Sequence, residues 1–211
     1  MDEAAVNAAL EAVAEALEAR SAELLEANAD DCSRMDSNDP RYDRLLLTPE
    51  RIKDIADGIR AVAALPSPLG ITLDSAKRPN GMLIRKVSVP FGVIGAIFEA
   101  RPNVVFDIFA LCFKAGSACV LKGGHEAEKS DAMSIAIIRD ALASAGAPVD
   151  AATLLPATHE AAAAMLEARG EIDLLIPRGS RKLIDFVRDN ARVPVIETGA
   201  GVCHTYFHSS G

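Results

Sequence analysis

The chain has no tryptophan and only two tyrosines, and aromatic residues make up 4% of it. It has no run of about 18 apolar residues that would span a bilayer, and its acidic, alanine-rich start differs from a signal peptide. The four cysteines show no metal-ligand spacing, and a chain of 211 residues needs no disulfide framework. These absences predict a cytoplasmic protein with reduced thiols and no membrane role.

Basic residues are also scarce at the start of the chain. Nine of the 30 acidic residues, but only one of the 22 lysines and arginines, lie in residues 1–31, and the rest of the chain is balanced. A nucleic-acid-binding protein would need a basic stripe with aromatic residues among it, and the sequence has neither. Half of the residues are hydrophobic, so a globular protein that does not bind nucleic acid is expected.

Residues 1–70 are predicted to form a helical cover. Apolar residues recur at helical spacing in residues 1–28, and again in residues 48–66, where Thr48 and Pro49 provide a helix start. Residues 30–44 between them are predicted to be a polar loop. The thin apolar stripe of the first helix favours packing on its own domain over packing on a partner helix.

A β-hairpin is predicted at residues 71–90. Residues 66–70 contain two prolines and a glycine, which indicate a connector, and residues 77–81 have the composition of a hairpin turn. Because a hairpin leaves its strand edges unpaired, we expect it to contact another subunit or another part of the protein. A homo-oligomer is therefore predicted.

Strands and helices alternate over residues 91–211. Strands are predicted at 92–98, 118–121, 153–155, 172–176 and 193–196, and helices at 104–115, 126–145, 158–169 and 180–190. The spacing is that of right-handed βαβ crossovers. The predicted fold class is α/β, a doubly wound, Rossmann-like parallel sheet of about five strands.

Two glycine turns follow strands of this sheet, although the G-x-G-x-x-G fingerprint of dinucleotide-binding proteins is absent. Gly123 and Gly124 precede the helix at 126–145, and Gly179 precedes the helix at 180–190. Such turns either hold a phosphate at the helix amino terminus or simply close a tight connection. Because both turns lie at one edge of the sheet, together they favour a phosphate site.

Five blocks of sequence resemble one enzyme family. They are VPFGVIG at 89–95, FEARPN at 98–103, LKGG at 121–124, LIPRGS at 175–180 and VPVIETGAGVCH at 193–204. Together they resemble the gamma-glutamyl phosphate reductase family of the aldehyde dehydrogenase superfamily, over nearly the whole chain. The resemblance implies NADPH-dependent reduction of L-glutamyl 5-phosphate to L-glutamate 5-semialdehyde in proline biosynthesis, with glutamate 5-kinase as a functional partner.

The resemblance also implies roles for residues near the chemistry. Asn103 matches the asparagine whose side-chain amide stabilises the oxyanion, whereas the sequence alone also fits a helix cap. Arg101 is expected either to bind the substrate's phosphate or carboxylate or to form a structural salt bridge. Glu197 matches the general base of hydrolytic aldehyde dehydrogenases, but a reductase activates no water, so it is assigned to the site lining with its role open.

A further set of residues is matched to the cofactor NADP. The resemblance assigns Lys122 to the adenosine ribose and His125 to a contact with the 2′-phosphate. It assigns the turn at Gly179 and Ser180 to the pyrophosphate, and Gly123 and Gly124 to the turn beside the ribose. Without the resemblance, Lys122 would be interpreted as an exposed charge at the rim of the sheet.

No residue of the chain is expected to be the catalytic nucleophile. Cys203 beside His204 has the form of a nucleophile with its base, but the resemblance implies that the catalytic cysteine lies in a separate domain beyond residue 211. Cys112 and Cys119 are expected to be packing thiols. The chain is thus expected to be the amino-terminal, cofactor-binding part of the reductase. The alternative is a catalytically silent nucleotide-binding or interaction fragment.

No metal site is expected. His204 and His208 are four residues apart, a spacing that suits a metal only on a helix. The aromatic and β-branched residues between them favour a strand instead.

Overall fold

The computed structural model describes residues 1–197 and 204–206, and the elements below belong to those residues. The helices are α1 (Glu3–Ala19), α2 (Ser21–Ser33), α3 (Tyr42–Leu45), α4 (Pro49–Ala64), α5 (Asn103–Lys114), α6 (Glu128–Ser144), α7 (His159–Glu167) and α8 (Arg181–Asn190). The strands are β1 (Thr72–Lys77), β2 (Leu83–Val87), β3 (Val93–Phe98), β4 (Ala118–Lys122), β5 (Ala152–Leu154) and β6 (Leu174–Arg178). Short 3₁₀ helices precede α6 and β5.

Four strands form a parallel sheet in the order β5-β4-β3-β6. The chain runs outward from β3 through β4 to β5 and then returns to place β6 on the other side of β3. The two faces of β3 belong to different cores: Ile94 and Phe98 pack with α1, α4, α5 and α6, whereas Ile97 packs with residues of α7 and α8. The predicted doubly wound α/β fold is confirmed.

The fifth strand predicted at residues 193–196 is too long, because the structure has only a single bridge there. Val195 forms only an isolated parallel bridge to Leu175. The Leu175 N–H donates to the Pro194 carbonyl (2.8 Å) and the Ile196 N–H to the Leu175 carbonyl (2.9 Å). Pro194 has no N–H to continue the ladder, so the pairing stops there.

The amino-terminal helix is broken into α1 and α2 at Arg20, and α2 extends to Ser33, into the predicted polar loop. Arg20 forms ion pairs with Glu23 (2.8 Å) and with Asp140 of α6 (2.9 Å). The polarity of α2 reflects buried hydrogen bonds: Asn28 donates to the Leu45 carbonyl (2.8 Å) and accepts from the backbone N–H of residue 47. α1 packs its apolar face on α4 and α6, so it covers its own domain.

The predicted hairpin is present. Strands β1 and β2 pair antiparallel, with Lys77 opposite Leu83, and every residue of both strands is exposed. Gly81 closes the turn with φ of 84°, a conformation that favours glycine. The helices of the described residues include none with the length and apolar composition to cross a bilayer.

Candidate functional site

The turn that joins β3 to α5 carries the residues that the sequence places nearest to the chemistry. Ala100, in this turn, has φ of 39°, a strained conformation for a residue with a Cβ atom. Pro102 precedes α5, and Asn103 is its first residue. Asn103 therefore lies at the carboxyl end of β3, the edge of the sheet that also carries both glycine turns.

Asn103 does not act as a helix cap. Its side-chain amide donates to Oδ2 of Asp107, one turn further along α5, at 3.0 Å. The pKa of Asp107 is raised because surrounding protein reduces the hydration of its carboxyl, while the Asn103 hydrogen bond and the charge of Arg178 act in the opposite direction. The contact fixes one amide proton of Asn103 and leaves the other for a ligand.

Asn103 lies in the wall of a cavity of about 460 Å³, here called the Asn103 cavity. Charged residues dominate its lining, and they are Asp43, Arg44, Arg51, Asp54, Arg101 and Asp107. Arg51 is paired with Asp43 (2.7 Å), whereas the side chain of Arg101 has no hydrogen bond or ion pair within the described part of the chain. A structural salt bridge is thus not the role of Arg101 there.

A second cavity, of about 520 Å³, lies at the same edge of the sheet beside α8. This second cavity is called the rim cavity below. It brings together four of the residues assigned to the cofactor, which are Lys122, Gly124, His125 and Ser180. Its apolar wall includes Ile97 and Phe98 of β3 and Leu183 and Phe186 of α8. It lies where the connections from β3 and from β6 diverge, the usual ligand position in doubly wound sheets.

Lys122 ends β4 inside the rim cavity and is partly buried. Its pKa is lowered mainly by the loss of hydration, and the charges of Glu126 and Glu99 oppose this shift. Its ammonium group has no hydrogen-bond partner in the part of the chain that the structure describes. A partly desolvated cation without a partner is suited to binding hydroxyl or phosphate oxygens.

The amino terminus of α8 is occupied by Glu99, a residue of the FEARPN block to which the sequence analysis assigns no role. Glu99 accepts a hydrogen bond from the Ser180 N–H at 2.8 Å and another from the Ser180 hydroxyl at 3.2 Å. A Cβ atom on Gly179 would lie 2.6 Å from Oε2 of Glu99, so glycine allows this close approach. A carboxylate at a helix amino terminus is favoured by the helix dipole, and a phosphate bound there would have to displace it.

Gly123 has a steric role in its turn. A Cβ atom there would overlap Oδ2 of Asp131, which is 1% exposed. Neither carboxyl oxygen of Asp131 has a hydrogen-bond partner among the described residues. Burial, with the nearby charge of Asp31, raises the pKa of Asp131 well above its ordinary value of 3.8.

Asp131→Asn is expected to weaken the pH dependence of stability. Because the folded state raises the pKa of Asp131, the stabilisation associated with its proton is complete below pH 3.8 and is lost as the pH rises toward the folded-state pKa. The free energy of unfolding should thus fall less between about pH 4 and pH 7 in the variant than in the parent. Urea unfolding at several pH values measures this free energy, and Asp74→Asn, at an exposed position, is the control. Parallel pH profiles for parent and Asp131→Asn would contradict the assignment.

The remaining predicted residues lie apart from these two cavities or outside the described residues. Glu197 is 3.6 Å from the guanidinium of Arg188 and lines neither cavity. Cys112 and Cys119 are buried, and a hydrogen bond with Cys112, together with burial, raises the pKa of Cys119. Both are packing thiols. Cys203 and His208, like residues 198–202, lie outside the described residues.

Over 208 residues the chain is 57% identical to the gamma-glutamyl phosphate reductase of Phocaeicola vulgatus, covering 98% of this chain and 50% of that protein. The chain resembles the amino-terminal half of gamma-glutamyl phosphate reductase. It spans about half the length of the curated relatives that it matches. No family model matches the chain.

Solved structures agree with the family in fold. The gamma-glutamyl phosphate reductase of Thermotoga maritima matches with a TM-score of 0.91 at 36% identity, covering 95% of this chain and 50% of that one. A probable aldehyde dehydrogenase from Listeria monocytogenes matches with a TM-score of 0.74 at 16% identity, covering 95% of this chain and 42% of that one. This second likeness shows the fold alone, and it places the chain in the aldehyde dehydrogenase-like α/β class.

Proposed function

We propose that this chain forms the NADP-binding part of an enzyme that reduces L-glutamyl 5-phosphate to L-glutamate 5-semialdehyde, with release of phosphate, in proline biosynthesis. The observation that carries the proposal is the position of Asn103 and of the rim cavity at one edge of a doubly wound sheet, in a chain that resembles this reductase. The domain boundaries at residues 70 and 90, the cytoplasmic location and the functional link to glutamate 5-kinase belong to the same proposal.

The reaction that we propose starts when a cysteine thiolate attacks the acyl phosphate carbonyl and phosphate leaves. The dinucleotide, when bound, would supply the hydride that reduces the resulting thioester to the aldehyde, with cleavage of the carbon–sulfur bond and release of the cysteine thiolate. Asn103 supports this chemistry by donating its free amide proton to the carbonyl oxygen as negative charge develops there. Asp107 supports it indirectly, because its hydrogen bond holds the Asn103 amide in one orientation.

The nucleophile is assigned to a part of the reductase that lies outside this chain. Cys32, Cys112 and Cys119 are all buried, and burial raises the pKa of Cys32 and contributes to the raised pKa of Cys119. A thiol with a raised pKa is poorly ionised and is a weak nucleophile. The same observation favours the alternative function, a catalytically silent nucleotide-binding fragment.

The residues of the rim cavity fit a nicotinamide dinucleotide. Lys122 is placed to donate to the ribose hydroxyls, and the apolar wall of the cavity suits a base. Lys182, which is positively charged, lines the same cavity with His125 and His159, whose rings offer N–H donors, and these groups suit a 2′-phosphate. These residues support NADP as the cofactor, with Glu99 giving up its place at Gly179 and Ser180 when the pyrophosphate binds.

Two measurements test the proposal. Titration of the chain with NADPH and with NADH, followed by calorimetry, should show binding with NADPH preferred; absence of dinucleotide binding would sink the cofactor assignment. The reductase that contains this chain should also reduce NADP in the presence of L-glutamate 5-semialdehyde and phosphate. If the isolated chain catalyses this reverse reaction, its nucleophile lies within it, most directly at Cys203, and the proposed location of the catalytic cysteine is wrong.

Lys122→Met is expected to weaken NADPH binding about tenfold or more. The variant keeps the length and apolar stem of the side chain but removes the charged donor, whose hydrogen bonds contribute about 1.5–3 kcal/mol. Calorimetric titration of the chain measures the dissociation constant. Lys53→Met, which removes an exposed lysine of α4, is the matched control and should leave the dissociation constant of NADPH unchanged. Equal affinity of Lys122→Met and parent would remove Lys122 from the cofactor site.

We also propose that the β1–β2 hairpin forms a subunit contact of a homo-oligomer. Apolar side chains are exposed along it, including Leu73 (59%), Leu83 (53%) and Ile84 (42%), more than a free surface ribbon normally carries. Ile84→Lys is therefore expected to shift the protein toward monomer in light scattering. Lys86→Ala, on the same strand, is the control. An unchanged oligomer mass in Ile84→Lys would refute this contact.

A further inference from the structure

Three arginines near Asn103 form no ion pair in the described part of the chain. Arg44 lies in α3, Arg101 in the turn before α5, and Arg178 at the end of β6. None of their guanidinium groups makes an ion pair or hydrogen bond there. Eight other arginines pair with carboxylates, and they are Arg20, Arg34, Arg41, Arg51, Arg60, Arg139, Arg181 and Arg188. Arg78, Arg85, Arg169 and Arg192 also have no ion pair among the described residues, but they line neither cavity.

The guanidinium group of Arg101 is close enough to those of Arg44 and Arg178 to be repelled by both. Burial is the main cause of a lowered pKa for Arg101, and the charges of Arg44 and Arg178 lower it further. Arg178 also acts on Asp107, so its charge reaches the surroundings of Asn103. Holding three like charges together without an anion costs free energy. A bound anion would offset that cost, and the planar fork of arginine binds phosphate and carboxylate oxygens in pairs.

The surroundings of the three arginines indicate the kind of anion. Arg44 and Arg101 line the Asn103 cavity, and Asp54 lines it too, with a carboxylate that has no hydrogen bond or ion pair among the described residues. The other two acids of the lining are engaged, Asp43 with Arg51 and Asp107 with Asn103. The unpaired arginines and Asp54 therefore suit a ligand that carries at least two anionic groups together with one ammonium group.

We propose that Arg44, Arg101 and Arg178 bind the anionic groups of the substrate, an acyl phosphate of an acidic amino acid, with the phosphate held close to the Asn103 amide. This inference rests on the proposed function and extends it, because it assigns two further residues, Arg44 and Arg178, to substrate recognition. The phosphate is the leaving group, so guanidinium contacts also stabilise the charge that it gains as the bond to carbon breaks. Asp54 is the partner of the substrate's ammonium group.

The test uses the reductase that contains this chain, assayed with L-glutamate 5-semialdehyde, inorganic phosphate and NADP. Arg44→Ala, Arg101→Ala and Arg178→Ala should each raise the KM for phosphate about tenfold or more, and leave the KM for NADP within about twofold. Arg192→Ala is the matched control, since Arg192 lines neither cavity. Arginine-to-lysine variants, which keep the charge but lose the fork, should fall between parent and alanine variants.

An unchanged KM for phosphate in the three alanine variants overturns the inference. A raised KM for NADP with an unchanged KM for phosphate also overturns it, because the arginines then belong to the cofactor site.

A second measurement separates this inference from the proposed function. Binding of inorganic phosphate to the chain, followed by phosphorus-31 NMR line broadening, needs no turnover. Loss of phosphate binding in the three alanine variants, with binding kept in Arg192→Ala, would support the anion site. If the reductase assay then failed, that failure would count against the proposed function alone. Normal reductase activity with phosphate binding equal in all variants overturns the anion site and leaves the proposed function in place. Thermal unfolding of each variant confirms that it folds.

Discussion

Asn103→Ala is expected to reduce turnover of the reductase that contains this chain by about 100-fold or more, with little effect on NADPH binding. Removal of one oxyanion donor costs about 2.7–4 kcal/mol in enzymes that use such a donor. The effect should appear in kcat, because the hydrogen bond strengthens as charge develops on the carbonyl oxygen. Steady-state kinetics, together with calorimetric titration of NADPH, measure both quantities.

Two variants make the Asn103 result specific. Asn190→Ala removes another helical asparagine, whose amide donates to the Phe186 carbonyl in α8 (2.7 Å), and should leave turnover unchanged. Asp107→Ala removes the group that orients the Asn103 amide and should cost less than Asn103→Ala, because the donor remains. Normal kcat in Asn103→Ala would take Asn103 out of the mechanism. A loss of NADPH binding as large as the loss of turnover would assign it to the cofactor instead.

The order of the sheet elements can be predicted from the sequence because each has a local signal. β3 and β4 are short apolar runs, Thr48 caps α4 ahead of Pro49, and Gly146 follows the end of α6, so pattern and capping both point to the observed element. The errors fall where tertiary contacts override the local pattern. The polar end of α2 has the composition of a loop, yet it is helical because Asn28 and Asp31 make buried hydrogen bonds to distant parts of the chain.

The candidate site is predictable only where a local motif marks it. The glycine turn at residues 123–124 and the polar turn before α5 stand out in the sequence. The contacts of Glu99 with Ser180 and of Asp131 with Gly123 do not, because each of them bridges separate segments. The same holds for Arg44, which is 57 residues before Arg101 in the sequence and acts on it only through the fold. Spacing along the chain carries no signal for such pairs.

Phe109→Ala is expected to lower the free energy of unfolding by about 3–5 kcal/mol. Phe109 is fully buried in the middle of α5, on the core side of the helix that carries Asn103 at its amino end. Its ring lies 5.3 Å from that of Phe113, centroid to centroid, in a tilted arrangement that adds to the burial. Natural domains are stable by about 5–15 kcal/mol, so this one truncation removes a large part of the total.

Urea unfolding of the chain, followed by circular dichroism because no tryptophan is present, measures the effect. Phe109→Leu is the matched control and should cost less, since leucine leaves a smaller cavity than alanine. Leu111→Ala, at an exposed position two residues along the same helix (55% exposed), should change stability little. A loss for Phe109→Ala no greater than that for Leu111→Ala would mean that α5 is not anchored through its core face. Contacts other than the core packing of α5 would then have to hold Asn103 in position.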